Sequence, residues 1–482
     1  MNNQVFDLFD AIRQIPRPSK HEERISQWLV DFASAHGIEC VRDEAMNVIM
    51  RVPASAGYED KPGIILQAHM DMVCEKDGHV QHDFMTDPIE TYIDGEWLRA
   101  KGTTLGGDDG IGVAMALAVL TDKSLPHPAL EALFTVDEET GLTGAFRLKD
   151  GLLNGQRLIN LDSEDDGQIF IGCAGGIDTL ARMGYEPLKI EDLRLQNLFA
   201  MRVAVSGLTG GHSGDDINKG RANANKVIVN YLQRLQDLGY ELSTINGGNL
   251  RNAIAREAEA VIVVPNEAKH EAIVRFNTYK AEVEEAFKDT EPTMQLTLES
   301  TNMPATILPH EQAYRLIDAL CECPHGVIAM SEDMPGLVQT STNLASVKMR
   351  SDEEGLYIEV NTSQRSSVEA EKHAIKDRVE QVLSTACDRV THGDGYPGWA
   401  PNVHSSILEV ARKAYEDLFG EEPKVLAIHA GLECGLFLEK YPYLDMISIG
   451  PQMYGVHSPQ ERLSIPSTDR TYEWLQRILA NA

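Results

Sequence analysis

The sequence predicts an α/β domain with a mainly parallel central sheet, interrupted by an inserted α+β domain. Three observations lead there. Up to about residue 185, short apolar runs of strand character alternate with helical patterns, as a largely parallel sheet requires. Acidic or imidazole residues stand at or just beyond the ends of those runs, at His69, Asp108, Glu139 and Asp162, and the series then stops until His457. The interval between has its own pattern, which reads twice as β-α-β-β-α.

Residues 5–36 carry a helical pattern broken at Pro16 and Pro18. Ser19 and Glu22 have the spacing of a capping box for its second part, which stops at Gly37. Residues 63–71 read as a buried strand, 110–122 as an apolar helix opening after Asp108 and Asp109, and 130–139 and 157–164 as strands ending in acids. Within the interval, strand 201–207, helix 219–239, strands near 241–246 and 259–264 and helix 267–287 make a first copy. Strand 294–300, helix 309–323, strands 343–349 and 357–362 and helix 368–388 make a second. A Gly- and Pro-rich crossing at 391–402 leads to helix 403–419, strands 424–431 and 445–451, and a last helix at 466–481. The expected division is one domain from 1–186 with 396–482, and an inserted lid at 187–395. The two outer segments must form one domain if His457 is to join the other ligand-type residues.

The 482 residues suggest two to three domains, and 43% hydrophobic content supplies a sizeable core. With 43 basic and 74 acidic side chains, the formal charge is −31, and no basic cluster offsets it. Neutralising phosphates needs a basic face, so nucleic acid is excluded as a partner. The N-terminal stretch has no apolar signal core and no run is long enough to span a membrane, so a membrane partner is not expected. The seven cysteines, Cys321-x-Cys323 among them, show no disulfide framework, which fits a reduced, cytoplasmic setting.

Taken residue by residue, the strand ends suit metal chemistry. In His69-Met70-Asp71 the imidazole can bind a cation while the carboxylate accepts the other ring N–H. Leu105-Gly106-Gly107-Asp108-Asp109-Gly110 is a Gly-rich turn into a helix; two aspartates at its mouth favour a cation over a phosphate, and one carboxylate can bridge two ions. Asp137-Glu138-Glu139 ends a strand, where one glutamate can ligate while the other works on water. Asp162 and His457 complete a set without thiolates, which selects zinc, manganese or cobalt. Each motif alone also reads as an ordinary strand end or acidic loop. Their recurrence at successive strand ends describes a metallohydrolase.

The strings LQAHMDMV, TTLGGDDGIG, VDEETG, NLDSEDDG, GCAGGID, GGHSGDDI, HAGLECGLF, SIGP and GVHSP together resemble the zinc aminoacylase and carboxypeptidase-G-like metallopeptidases. Within that superfamily the chain is most similar to the aminoacyl-histidine (Xaa-His) dipeptidases of the PepD, bacterial carnosinase type, from the first helix to the last. The resemblance implies two zinc ions, with cobalt or manganese as substitutes. His69 and Asp162 would hold one, Glu139 and His457 the other, and Asp108 both. It implies Asp71 as the residue orienting His69, Glu138 as general base, and a cis peptide between Asp108 and Asp109. In the inserted domain it implies His212 as a donor to the oxyanion, and Asn252 and Arg365 as ligands of the substrate's main-chain groups; Gly431 could let backbone approach the substrate. LRNAIAREA has Ala255 where relatives carry proline.

The function expected is hydrolysis of Xaa-His and other dipeptides, carnosine-type included, by a homodimer. The internal duplication of the lid leads to the expectation that His212 acts within its own chain. Two other readings stay open: a related amidohydrolase, either an N-acyl amino acid deacylase or a tripeptidase, and a metal-binding module without activity. The presence of Glu138 argues against the last.

Overall fold

The computed structural model describes residues 3–192 and 197–482. It divides into two compact units, one of Met1–Cys173, Trp399–Ala427 and Leu432–Ala482, the other of Ala174–Gly398 and Ile428–Gly431. His457 therefore shares a unit with His69, Asp108, Glu139 and Asp162. The chain passes into the second unit earlier than residue 187, because strand Gly175–Gly184 pairs along its whole length with Gly355–Ser366.

The first unit is built on an eight-stranded mixed sheet. Four neighbouring strands, Leu130–Thr135, Ile64–His69, Arg157–Asn160 and Asp445–Ser448, run parallel. Antiparallel pairing appears on both sides of them, at Val48–Val52 and at Gln168–Cys173. Every residue of Ile64–His69 and Leu130–Thr135 is buried, so neither strand shows the alternation of a half-exposed sheet. Register aligns His69 with Thr135, Gln67 with Asn160, and Asn160 with Ser448. The parallel strands thus finish at one level, and the residues that follow them emerge along one edge. Helix Gly107–Thr121 is buried from Gly107 to Leu120 and packs on Ile64–His69 and on the first helix, Asn3–Ile12. Its lack of a polar face is that of an element covered on all sides.

The sequence expectation holds for the main elements and needs correction at several ends. The capping box does not form: helix Glu23–His36 has Glu22 at its N-cap without a side-chain cap bond. Ser19 lies too far before that start, and its hydroxyl donates to Asp71 instead, at 2.8 Å. The strand expected over 130–139 stops at Thr135, and Glu138–Gly141 is a single helical turn. Asp137 turns the chain in the left-handed region at φ 51°, held by the hydroxyls of Thr140 and Thr143. Strand Gln168–Cys173 and helix Cys434–Lys440 were not foreseen; both are short, and their burial comes from neighbours distant in sequence.

The second unit carries a nine-stranded sheet made of two similar halves. Strand Leu198–Ser206, helix Ala224–Gln233, strands Glu241–Gly247 and Ala258–Pro265, and helix Lys269–Ala286 follow the expected β-α-β-β-α order. Strand Gln295–Ser300 completes this half by pairing with Leu198–Ser206. It does not start the second half, as its place in sequence suggested. That role falls to Gly175–Gly184, which sits between Gly355–Ser366 and Arg389–His392 in the sheet. The second half is then Gly175–Gly184, helix His310–Glu322, strands Val338–Asp352 and Gly355–Ser366, helix Glu369–Leu383 and strand Arg389–His392. The halves meet where Gly247 pairs with Val347.

That seam is tight. Gly248 has φ 64°, and a methyl group there would sit 1.8 Å from the Ala345 carbonyl oxygen. Gly248→Ala is expected to destabilise the second unit by roughly 2 kcal/mol or more. Urea unfolding followed by circular dichroism checks this, and an unchanged midpoint would show that the seam yields without cost.

Candidate metal centre

His69, Asp108, Glu139, Asp162 and His457 come together at the edge where the parallel strands end. Nε2 of His69 lies 2.9 Å from Asp108 Oδ1 and 3.4 Å from Asp162 Oδ1. Nε2 of His457 lies 3.0 Å from Asp108 Oδ2 and 3.0 Å from Glu139 Oε2. Asp108 therefore turns one oxygen to each imidazole, and each imidazole has a second carboxylate beside it. The Asp108–Asp109 peptide is cis, as the resemblance implied.

Asp109 also lies near His69 and Asp162. Its carboxylate already accepts the N–H of His69 at 3.2 Å and that of Gly112 at 3.1 Å. A methyl group on Gly112 would stand 2.2 Å from Asp109 Oδ1, so glycine is what lets this carboxylate fold back over the helix start. Asp109 fixes the backbone, and Asp108 is left to face the imidazoles.

Asp71 does more than the sequence suggested. Its Oδ1 lies 3.3 Å from His69 Nδ1, off the angle of a formed hydrogen bond. The same carboxylate accepts the N–H of Glu138 at 3.1 Å and of Glu139 at 3.3 Å, and so ties the helical turn bearing both glutamates to the His69 strand. Glu22 receives the Asp137 N–H at 2.9 Å from the other side.

The charge balance is one-sided. Burial opposes ionisation of Asp108, but the His457 and His69 imidazoles outweigh it and hold the carboxyl well below its ordinary range. Hydrogen bonds from its ring to the Asp108 and Glu139 carboxylates push His457 up to about 11. Burial pushes Asp162 up to about 7 and Glu164 up to about 8, and raises Glu138 well above the usual carboxylate value. Among the described residues, the ion-pair partners of Asp108, Glu139 and Asp162 are imidazoles only, with no lysine or arginine. Two imidazoles do not balance the carboxylates gathered around them, and a divalent cation would. The hard oxygen and imidazole donors fit divalent zinc, manganese or cobalt.

A buried row of polar side chains runs beneath these candidate ligands, and the sequence reading missed it. Ser163 and Ser448 hydroxyls meet at 2.7 Å, and Ser448 donates to Asn160. Asn160 donates to Gln67 at 2.6 Å, and Gln67 donates to Glu433 at 2.7 Å. Thr135 also donates to Glu433, at 2.7 Å. Gln67 and Asn160 each stand two residues before a ligand, on buried strands where only apolar side chains are expected. That exception was the available signal.

The second unit holds the other predicted residues. Ser213 donates its N–H to the Asn252 carbonyl at 2.8 Å, which joins the His212 loop to the Asn252 segment. Nδ1 of His212 lies 3.2 Å from both the Asp215 amide nitrogen and the Asp215 carboxylate, so Asp215 holds the ring in place. Arg365 donates to the Tyr396 hydroxyl at 3.1 Å, and a methyl group on Gly431 would lie 2.7 Å from the same tyrosine ring. His429, also buried here, is held neutral by burial and by Arg365, with its pKa lowered to about 4.

Burial pushes the Glu433 carboxyl up to about 8 from an ordinary 4.5. A raised acid keeps, in the folded state, a proton that the unfolded chain releases, so stability falls as pH rises through that interval. Metal-free Glu433→Gln cannot ionise, and is expected to gain stability relative to the parent between about pH 5 and about pH 8. Urea unfolding of both proteins at the two pH values checks this; a constant difference would mean that Glu433 stays ionised.

The chain resembles known proteins in sequence and in fold. Residues 65–481 match the model of peptidase family M20/M25/M40. The chain is 39% identical over 480 residues to the cytosol non-specific dipeptidase of Escherichia coli (strain K12), covering 98% of this chain and 96% of that one. The crystal structure of aminoacylhistidine dipeptidase from Vibrio alginolyticus superposes with a TM-score of 0.93 at 39% identity, covering 99% of this chain and 96% of that one. Aminopeptidase PepT from Bacillus cereus ATCC 10987, at 16% identity and a TM-score of 0.62 over 99% of this chain and 98% of that one, shares the fold. With a family model matched over most of its length and a relative 39% identical almost from end to end, the chain belongs to peptidase family M20/M25/M40.

Proposed function

We propose that the protein is a dipeptidase that hydrolyses Xaa-His and other dipeptides at a centre of two divalent cations, zinc in the first instance. The observation that carries this is Asp108, whose two oxygens lie 2.9 Å and 3.0 Å from imidazoles belonging to different ligand pairs. His69 and Asp162 would hold one ion, Glu139 and His457 the other, with Asp108 shared. Bound there, the ions would polarise the scissile carbonyl and acidify the attacking water.

The side chains do the rest. Glu138 takes the water proton and hands it to the leaving amine. Burial, reinforced by the neighbouring carboxylates Asp162, Glu433 and Glu139, raises its affinity for that proton. Its carboxylate lies within 4.8 Å of ligand atoms of His69 and Glu139, which is the reach this task needs. Asp71 steadies both His69 and the turn bearing Glu138. In the second unit, His212 offers a ring N–H to the developing oxyanion. Arg365 pairs with the substrate's C-terminal carboxylate, Asn252 binds its main chain, and Gly431 allows close approach. A clamp on that carboxylate favours short substrates over long ones.

The Escherichia coli relative is named as a cytosolic enzyme, and all seven cysteines here are free, which supports a cytoplasmic setting. No helix of the described residues is long and apolar enough to cross a membrane. We assign a homodimer in which His212 serves its own chain, because each half of the second unit repeats the other. Mixing inactive His212 and Glu138 variants checks this: activity recovered on subunit exchange would mean that His212 acts across the dimer.

A substrate panel tests the reading itself. β-Alanyl-histidine, Xaa-His, Xaa-Gly and Xaa-Leu dipeptides should be cleaved, and N-acetyl amino acids should not; the reverse preference would make the protein a deacylase. Glu138→Ala is expected to keep its metal and lose about 100-fold or more in kcat. Near-normal turnover in that variant would remove Glu138 from its role.

A further inference from the structure

Two buried side chains of opposite charge hold the turn that leads to Asp108, and neither belongs to the ligand set. The turn spans 105–107, with Gly106 at φ 68°. Glu461 takes its amide side: Oε2 accepts the N–H groups of Leu105 at 2.7 Å and Gly106 at 3.1 Å, and Oε1 accepts that of Gly107 at 2.8 Å. Arg17 takes the carbonyl side, donating to Gly106 through Nη2 and, through Nη1, to Met70 at 3.1 Å and Asp71 at 2.5 Å. Each residue is 2% exposed. The fit is close: a methyl group on Gly106 would lie 2.6 Å from Arg17 Nη2, and one on Gly107 would lie 3.3 Å from Glu461 Oε1.

The two anchors lead to different ligands. Strands Met453–Tyr454 and Arg462–Ser464 form an antiparallel hairpin, pinned to Trp97–Ala100. Its loop, 455–461, carries His457 at φ 62° and ends in Glu461. The Glu461 N–H donates to Ser458 at 3.0 Å, and the Ser458 hydroxyl to Gly455 at 2.6 Å, which closes the loop on itself. Glu461 therefore docks the base of the His457 loop on the Asp108 turn. Arg17 docks the same turn on Met70 and Asp71, directly after His69. Asp108 sits between, with one oxygen toward each imidazole.

We propose that Glu461 is a positioning residue that sets the affinity of the cation site formed with Glu139 and His457, and that Arg17 does the same for the site formed with His69 and Asp162. The proposal rests on the two-cation reading. Three amides on one buried carboxylate cannot shift without leaving donors unsatisfied, so the spacing between Asp108 and His457 is fixed before any ion arrives.

The test uses the full-length, metal-stripped chain titrated with Zn²⁺ against a competing chelator, with site occupancy read from anomalous diffraction. In Glu461→Gln the ion at Glu139 and His457 is expected to bind roughly 10–100-fold more weakly, with the other ion unchanged. Arg17→Lys should show the opposite selectivity. Folded variants that bind both ions as the parent does, or lose both alike, would overturn the proposal. Should Glu461→Gln not fold, Gly107→Ala crowds the same carboxylate without removing its charge and should give the same selective loss. A parent chain that takes up fewer than two ions would instead sink the two-cation reading, and this proposal with it.

Discussion

Three neighbouring parallel strands must stop together if His69, Glu139 and Asp162 are to meet Asp108 and His457. That alignment is the constraint on which the rest depends. With Gln67 level with Asn160, and Asn160 level with Ser448, the segments that follow start from one line. Residues two or more positions further on then reach the same point from different directions. A slip of one residue in any strand would turn its side chains to the other face of the sheet. The polar row of Ser448, Asn160, Gln67, Thr135 and Glu433 makes such a slip costly, since every member would lose a buried partner.

The centre brings its own cost, which the fold sets against structure around it. Asp162, Glu164, Glu138 and Glu433 all have raised proton affinities because burial disfavours their charge. Without ions, the fold holds these groups against their preference. Burial raises Asp109 and Glu461 too, but these acids, like Asp71, accept backbone N–H groups that offset part of their own cost. Those three acids shape the backbone, and the ligand acids are left to face the imidazoles. The same residue type thus performs two tasks, separated by whether backbone donors have already claimed its oxygens.

Much of this was legible in the sequence. His69, Asp108, Glu139, Asp162 and His457 stood out because ligand-type residues recurred at successive strand ends, and topology then brought them together. The β-α-β-β-α order of the second unit was legible from period alone. Its pairing was not: Gln295–Ser300 completes the first half, and Gly175–Gly184, which the sequence reading left unassigned, opens the second, because strand partners are set by surfaces that form only in the folded chain. Ser19 and Glu22 had the spacing of a cap yet serve Asp71 and Asp137. A local motif cannot announce a partner that lies fifty or a hundred residues away. Arg17 and Glu461 escaped for the same reason, since their partners are backbone groups and carry no sequence signature.

In the proposed centre, the Asp108 carboxylate would serve two ions at once. Anomalous diffraction from crystals of the full chain loaded with Zn²⁺ tests it most directly. Two peaks about 3.5–4 Å apart are expected, one on each side of Asp108. A single peak, or two peaks too far apart for one carboxylate to touch both, would contradict it.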